Sequence, residues 1–168
     1  MLRPYACLMR DPSSPKTVRV LACGERLRGD DAVGPLAAEL LPAQVRSLAD
    51  VLEIGQMTVE SLIDVPEEVA LIVVDAAVGV AVGQVVLLPL ADVARRRLGA
   101  APASSHSLPP DQVVALAEEM RRSSLRGTFV GIGGAEFGFG EGLSPAVEAA
   151  LPDLVAALSG EIRRLAAG

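Results

Sequence analysis

The feature that most constrains the fold is an uninterrupted apolar run, ALIVV at residues 70–74, which ends at Asp75. A continuous run of this kind is typical of a strand buried on both faces, as parallel sheets require. Strand-like segments at 17–23, 50–54 and 128–132 each end at a glycine, and helical patterns separate them. This alternation predicts an α/β fold, a single three-layer domain with a mostly parallel twisted sheet flanked by helices.

Turn residues and prolines set the other boundaries. A further strand is predicted at 84–88, and helices are predicted at 32–41, 59–63, 91–98 and 110–122 and from Ser144-Pro145 onwards. Prolines and scattered charges predict a loose N-terminal leader over residues 1–16, and we expect residues 17–168 to form one domain. Because only 2% of the chain is aromatic, the core is expected to consist of Val, Leu, Ile and Ala.

Charge and cysteine content exclude several classes of protein. The net charge is −6 and the arginines occur in short clusters, so nucleic-acid binding is not expected. The longest apolar stretch, 69–82, is too short for a membrane span and is interrupted by Asp75 and Gly79. No signal peptide is evident, and two cysteines make no disulfide framework, so we expect a reduced, cytoplasmic protein. We also expect a monomer.

Paired carboxylates follow the first predicted strand. The segment CGERLRGDDAVG at 23–34 has the pattern of a loop between a strand and a helix, with Asp30 and Asp31 adjacent near the start of the helix. One interpretation is that they cap the helix, because aspartate satisfies free N–H groups at a helix N-terminus. Capping needs only one of them. The alternative is a ligand site at the carboxyl ends of the strands.

Three residues of ligand type follow segments that we expect at the same edge of the sheet: Asp31, Asp75 and His106. One imidazole and two carboxylates form a sensible set for a divalent transition ion, and three protein ligands leave positions open for substrate. Each residue also has an ordinary interpretation. A lone loop histidine is commonly solvated, and Asp75 at a strand end can accept backbone N–H groups.

The sequence resembles the hydrogenase maturation endopeptidases, which trim the C-terminus of the nickel-iron hydrogenase large subunit. Four elements over about 18–158 carry the resemblance. They are the GDDxVG segment at 29–34, the apolar strand that ends in Asp75-Ala76, the SHxLP segment at 105–109 and the FGxGLSP segment at 139–145. The resemblance implies that Asp31, Asp75 and His106 form both the nickel site and the catalytic site.

The resemblance also implies that nickel is not a resident cofactor. It would arrive bound to cysteine thiolates of the large-subunit precursor, which would be the partner of this protein. Where the family usually has Gly-x-Gly-Asn, this chain has Ala22-Cys23-Gly24-Glu25. Alanine is strained there only if its φ is positive. The Glu25 side chain either takes part in the metal site, as a further ligand or a general base, or points to solvent. We favour participation, because Gly24 allows the backbone to approach closely.

Two other functions remain open from the residues alone. One is a thiol hydrolase that uses Cys23 and His106, and the other is a non-proteolytic, nickel-dependent checkpoint or chaperone for hydrogenase assembly. A buried cysteine is usually inert, which weighs against the first. We interpret the glycine-rich segment 138–142 as a tight turn that lines the substrate groove.

Overall fold

Five strands form a single sheet in the computed structural model, which describes residues 16–93, 95, 108–140 and 142–168. The strands are β1 (Val18–Cys23), β2 (Asp50–Ile54), β3 (Ala70–Val82), β4 (Val85–Pro89) and β5 (Gly127–Gly133), in the order β2-β1-β3-β5-β4. All neighbouring pairs are parallel except β4 with β5. The predicted α/β class and mostly parallel sheet are therefore confirmed.

Helices cover both faces of this sheet. The described helices are α1 (Val33–Glu39), α2 (Ala43–Arg46), α3 (Val59–Ile63), α4 (Leu90–Val93), α5 (Pro110–Arg121) and α6 (Pro145–Ala166). Apolar side chains of α1, α2 and α6 pack on one face, and those of α3, α4 and α5 pack on the other. Residues 71–74 alternate between these two cores, and none of the five residues of the 70–74 run is more than 1% exposed. Burial on both faces explains why the run carries no polar residue.

Most predicted elements have nearly the expected bounds. Thr58 is the N-cap of helix α3: its hydroxyl accepts from the Ser61 N–H, and the Ser61 hydroxyl accepts from the Thr58 N–H, which completes a capping box. The first helix is shorter than predicted, because Gly29–Ala32 forms a separate 3₁₀ turn. The helix predicted at 91–98 lies partly outside the described residues. No described helix is long and apolar enough to cross a membrane.

Strand β3 is longer than predicted, and Asp75 does not end it. The strand continues to Val82 because β5 pairs with it beyond Asp75: Ala77 pairs with Gly133, and after a register shift Val82 also pairs with Gly133. The ladder between β1 and β3, in contrast, ends at Ala22↔Val74. Asp75 is therefore the first residue of β3 beyond the ladder with β1. It lies next to the carboxyl end of β1, although β3 continues past it.

The order of the strands creates a switch point beside Asp75. The chain passes from β1 to β2 on one side and then crosses to β3 on the other side of β1. The connecting helices α1 and α3 lie on opposite faces of the sheet. In open α/β sheets, the crevice outside the carboxyl ends of strands at such a point is the usual ligand site.

Candidate active site

The loop after β1 holds the carboxylate of Asp31 at the end of that strand. Gly24 has φ +123°, and a Cβ there would lie 1.7 Å from the Asp31 carbonyl oxygen, so only glycine fits. The next backbone N–H, of Glu25, donates to Asp31 Oδ2 at 2.8 Å. The helix also approaches closely, since a Cβ on Gly34 would lie 2.2 Å from the Cys23 carbonyl oxygen. Glycines at both positions let the loop fold back onto β1 and bring Asp31 to the switch point.

Asp75 faces Asp31 across this crevice. Burial and, to a smaller extent, the negative charge of Asp31 raise the pKa of Asp75, the N–H of Ala76 offsets part of the increase, and the resulting pKa is about 7. That N–H donates to Asp75 Oδ1 at 2.8 Å. The two carboxylates are thus close enough to repel each other. Near pH 7, the Asp75 carboxyl is about half protonated.

Cys23 lies beneath the two carboxylates. Its side chain is 1% exposed, and its thiol points at the Leu21 carbonyl oxygen at 3.9 Å. Burial raises the pKa of Cys23 well above its ordinary value, and the charges of Asp75 and Asp31 raise it further. The thiol is therefore neutral at physiological pH, whereas a nucleophilic cysteine needs a stabilised thiolate.

Asp30, the other acid of the pair, has a structural role. Its side chain is fully buried and accepts four hydrogen bonds: from the N–H groups of Ala135 and Glu136 at 2.8 and 3.0 Å, and from the N–H and hydroxyl of Ser144 at 2.7 and 2.9 Å. Burial alone would raise the pKa of Asp30, but these hydrogen bonds lower it below its usual range. Asp30 therefore ties the loop after β5 and the start of α6 to the loop after β1.

The helix-capping interpretation of the acid pair is wrong. Neither the 3₁₀ turn nor α1 has a side-chain hydrogen bond at its N-terminus. The same applies to α6, whose N-cap residue Ser144 gives its hydroxyl to Asp30 instead of to its own helix. The local sequence does not predict the contact between Ser144 and Asp30, because the two residues are 114 positions apart.

No positive side chain of the described residues neutralises Asp31 and Asp75. Neither carboxylate forms a salt bridge with a described residue, and within that part of the chain the two side chains accept hydrogen bonds from the N–H groups of Glu25 and Ala76 alone. No group of three or more ligand-type residues is present within the described ranges. His106, the third predicted ligand, lies outside them. Two of the three predicted site residues thus come together.

The side chain of Glu25 does not share the site as expected. A Cβ on Gly55 would lie 2.4 Å from Glu25 Oε1, so this carboxylate lies over the end of β2. Strand β2 is on the opposite side of β1 from Asp75. Glu25 contributes its backbone N–H to Asp31, whereas its exposed side chain turns away. Ala22, the other departure from the family pattern, lies in β1 without a positive φ and is not strained.

A groove of about 600 Å³ lies on that side of β1. It is called the Glu25 groove below, and its lining includes Gly24, Glu25, Leu27, Ile54, Gly55 and Phe139. Phe139 belongs to the glycine-rich segment, so that segment lines a groove beside the site, as the sequence predicts. The groove adjoins the acidic site through Gly24 and Glu25, which border both.

Solved structures of hydrogenase maturation endopeptidases have this fold. HybD from E. coli matches with a TM-score of 0.69 and 25% identity, over 88% of this chain and 92% of that chain. HybD from Thermococcus kodakarensis matches with a TM-score of 0.63 and 22% identity, over 85% and 97% of the two chains. HycI from the same archaeon matches with a TM-score of 0.60 and 23% identity, over 90% and 95%. A comparison with curated protein sequences finds no significant match.

The fold, the E. coli HybD neighbour and a family model together define a peptide hydrolase of hydrogenase maturation. The HycI hydrogenase maturation protease model matches residues 36–161, well over half of the chain. The protein therefore belongs to the hydrogenase maturation protease family. Asp75 lies within the matched segment, and Asp31 lies shortly before it.

Proposed function

We propose that the protein is an endopeptidase that removes a C-terminal extension from a hydrogenase large-subunit precursor only after nickel has been inserted. Asp31, Asp75 and His106 recognise the nickel, which is part of the substrate. The observation that carries this proposal is the pair of carboxylates at the switch point, which no cationic side chain of the described residues neutralises.

Electrostatics supports a divalent cation as the missing partner of this pair. The proximity of Asp31 and the partial burial of Asp75 both oppose ionisation of the Asp75 carboxyl. A bound cation removes both penalties, because it compensates the second charge and releases the proton. Two carboxylate oxygens and one imidazole nitrogen are donors that nickel accepts.

The direction of α5 supports His106 as the third ligand. At its C-terminal end, the guanidinium of Arg121 donates to carbonyl groups at the end of α3, close to the start of β3. The 12 residues of α5 span about 18 Å, roughly the rise of β3 from its start to Asp75. The N-terminus of α5, which begins four residues after His106, is thus directed towards the edge with the acidic pair.

The reaction would depend on nickel insertion because the protein supplies only part of the ligand set of the nickel ion. Three ligands bind nickel weakly by themselves, and the cysteine thiolates of the precursor complete the coordination. The nickel would then fix the position of the peptide and either polarise the scissile carbonyl group or activate a water molecule. The thiolate ligands of the precursor and two cysteines without a disulfide framework agree with a reducing, cytoplasmic setting. We propose that the protein acts there as a monomer.

The test compares nickel-loaded with nickel-free precursor, with the mass of the product as readout. We expect trimming of the loaded form only. His106→Ala, Asp31→Ala and Asp75→Ala should each abolish trimming, and the double aspartate variant should be little worse than either single one, since the ligands act as a unit. Equal cleavage of the two precursors, or normal cleavage by the His106 variant, would contradict nickel recognition.

Cys23→Ala is expected to leave the trimming rate within about twofold of the wild type, because a buried neutral thiol is neither nucleophile nor ligand. The variant separates the proposal from a thiol hydrolase. Loss of trimming by a Cys23→Ala protein that still unfolds cooperatively would restore the thiol mechanism.

A non-proteolytic checkpoint has less support. The reason to consider it was the charge that Glu25 would add to the metal site, and the Glu25 side chain lies over Gly55 instead. The family consists of peptide hydrolases. Nickel-dependent binding of the precursor without any change in its mass would favour the checkpoint.

A further inference from the structure

The Glu25 groove presents two exposed apolar side chains to solvent. Leu27 is 59% exposed and Phe139 is 94% exposed. Phe139 is one of only three phenylalanines in a chain without tryptophan, so exposure of such a side chain at a loop tip calls for a reason. The folding of the core does not provide one.

The two loops that carry these side chains are joined to each other. The Gly140 N–H donates to the Leu27 carbonyl oxygen at 3.1 Å, and the Gly29 N–H donates to the Gly140 carbonyl oxygen at 3.4 Å. These bonds form a short parallel bridge between Arg28 and Gly140. Asp30 anchors the same two loops from below. Leu27 and Phe139 therefore line one groove from loops whose backbones are already fixed.

The acidic side chains around the groove differ in whether a cationic side chain pairs with them. Arg26 bonds to Glu39 at 2.8 Å and to Glu53 at 2.9 Å, so these carboxylates are compensated. The carboxylate of Glu25 receives no hydrogen bond and no salt bridge from the residues that the structure describes. Of the two acids that line the groove, Glu53 is thus paired, and Glu25 has no cationic partner among the described residues. Arg28 also lines the groove, and its guanidinium donates to the Phe137 carbonyl oxygen at 3.4 Å.

We propose that the Glu25 groove binds an extended peptide segment of the substrate and selects its sequence. An apolar side chain of the segment lies between Leu27 and Phe139, and a neighbouring lysine or arginine pairs with Glu25. This inference rests on the proposed function, because a peptide hydrolase must hold the chain next to its scissile bond. The groove is suitably placed, since the N–H of Glu25 contacts Asp31 while its side chain faces the groove.

The experiment uses three fluorescein-labelled octapeptides that are identical except for one residue after a central leucine: lysine, alanine or glutamate. Fluorescence anisotropy measures their Kd with the full chain in the absence of nickel. We expect the lysine peptide to bind about threefold to fivefold more tightly than the alanine peptide, the range of an exposed ion pair, and the glutamate peptide to bind most weakly. Phe139→Ser should weaken all three by about tenfold.

Variants at Glu25 locate the preference. Glu25→Gln should make the three Kd values equal, and Glu25→Lys should reverse their order. Glu67→Gln is the matched control, because it removes the same charge from an exposed residue ahead of β3, at the opposite edge of the sheet, and should keep the wild-type preference. Equal Kd values with the wild type, an unchanged preference in Glu25→Gln, or no binding at millimolar peptide would overturn the inference.

These outcomes are independent of the nickel experiment. Peptide selectivity is measured without nickel and without cleavage, so its absence leaves nickel-dependent trimming untouched. Conversely, trimming that ignores nickel would contradict the proposed recognition but not the groove.

Discussion

Asp75→Asn is expected to stabilise the folded protein by up to about 4 kcal/mol at pH 8 while it abolishes trimming of the precursor. The substitution keeps the size of the side chain and the acceptor for the Ala76 N–H, but it removes the charge that burial and Asp31 destabilise. A residue that lowers stability and is nevertheless present is expected where function requires it.

The pH dependence gives this prediction its sign. The pKa of Asp75 is about 7 in the folded protein and near 4 in the unfolded chain, so between these values the folded state holds the extra proton. Its contribution to stability is complete below pH 4 and is lost as the pH rises to about 7. The difference between Asp75→Asn and wild type should therefore be near zero at pH 4 and largest above pH 7.

Urea denaturation of both proteins at pH 4, 6 and 8 measures this difference. Asp31→Asn should give part of the same stabilisation, because it removes the repelling charge. Asp64→Asn, at an exposed site after α3, should leave the pH dependence as in the wild type. A constant offset between Asp75→Asn and wild type across the pH range would show that the site stores no electrostatic strain.

The sequence is sufficient for the fold because its strongest signals are local and agree with one another. The 70–74 run requires burial on both faces, and the glycines and prolines divide the helices from the strands. Asp75 shows that such local signals do not always fix the end of a strand. Its polarity predicts the end of a strand, whereas pairing with β5 carries β3 further to Val82. The end of the β1 ladder still exposes Asp75 to the crevice. The sequence thus indicates that Asp75 lies at the crevice, but the reason it gives, the end of the strand, is wrong.

Tertiary contacts determine the position of the Glu25 side chain and the different roles of Asp30 and Asp31, which the sequence does not predict. Glu25 and Gly55 are 30 positions apart, and only the parallel register of β1 with β2 brings them together. Adjacent aspartates have the same local pattern, so the local sequence does not separate the ligand-type acid from the structural one, and the choice of Asp31 depends on the family resemblance. The assignment depends on Ser144, Ala135 and Glu136, which the fold brings to Asp30 from the far end of the chain.

Asp30→Ala is expected to destabilise the protein by about 3–5 kcal/mol, whereas Asp31→Ala should cost less than about 1 kcal/mol. Removal of the Asp30 carboxylate leaves three backbone N–H groups and one hydroxyl without their acceptor in a buried place. Removal of the Asp31 carboxylate frees only the exposed N–H of Glu25, and it also relieves the repulsion on Asp75.

Thermal and urea unfolding of the two variants measure this contrast, and Ser144→Ala provides an intermediate step. That variant loses only the hydroxyl donor to Asp30, so it should cost about 1 kcal/mol. The cost of Asp30→Ala should shrink in acid, because the lowered pKa of Asp30 contributes stability above the ordinary carboxyl pKa of about 4 that is lost as the pH falls through the folded value. If Asp31→Ala proves the more destabilising of the two, the division of the acid pair into an anchor and a ligand is wrong.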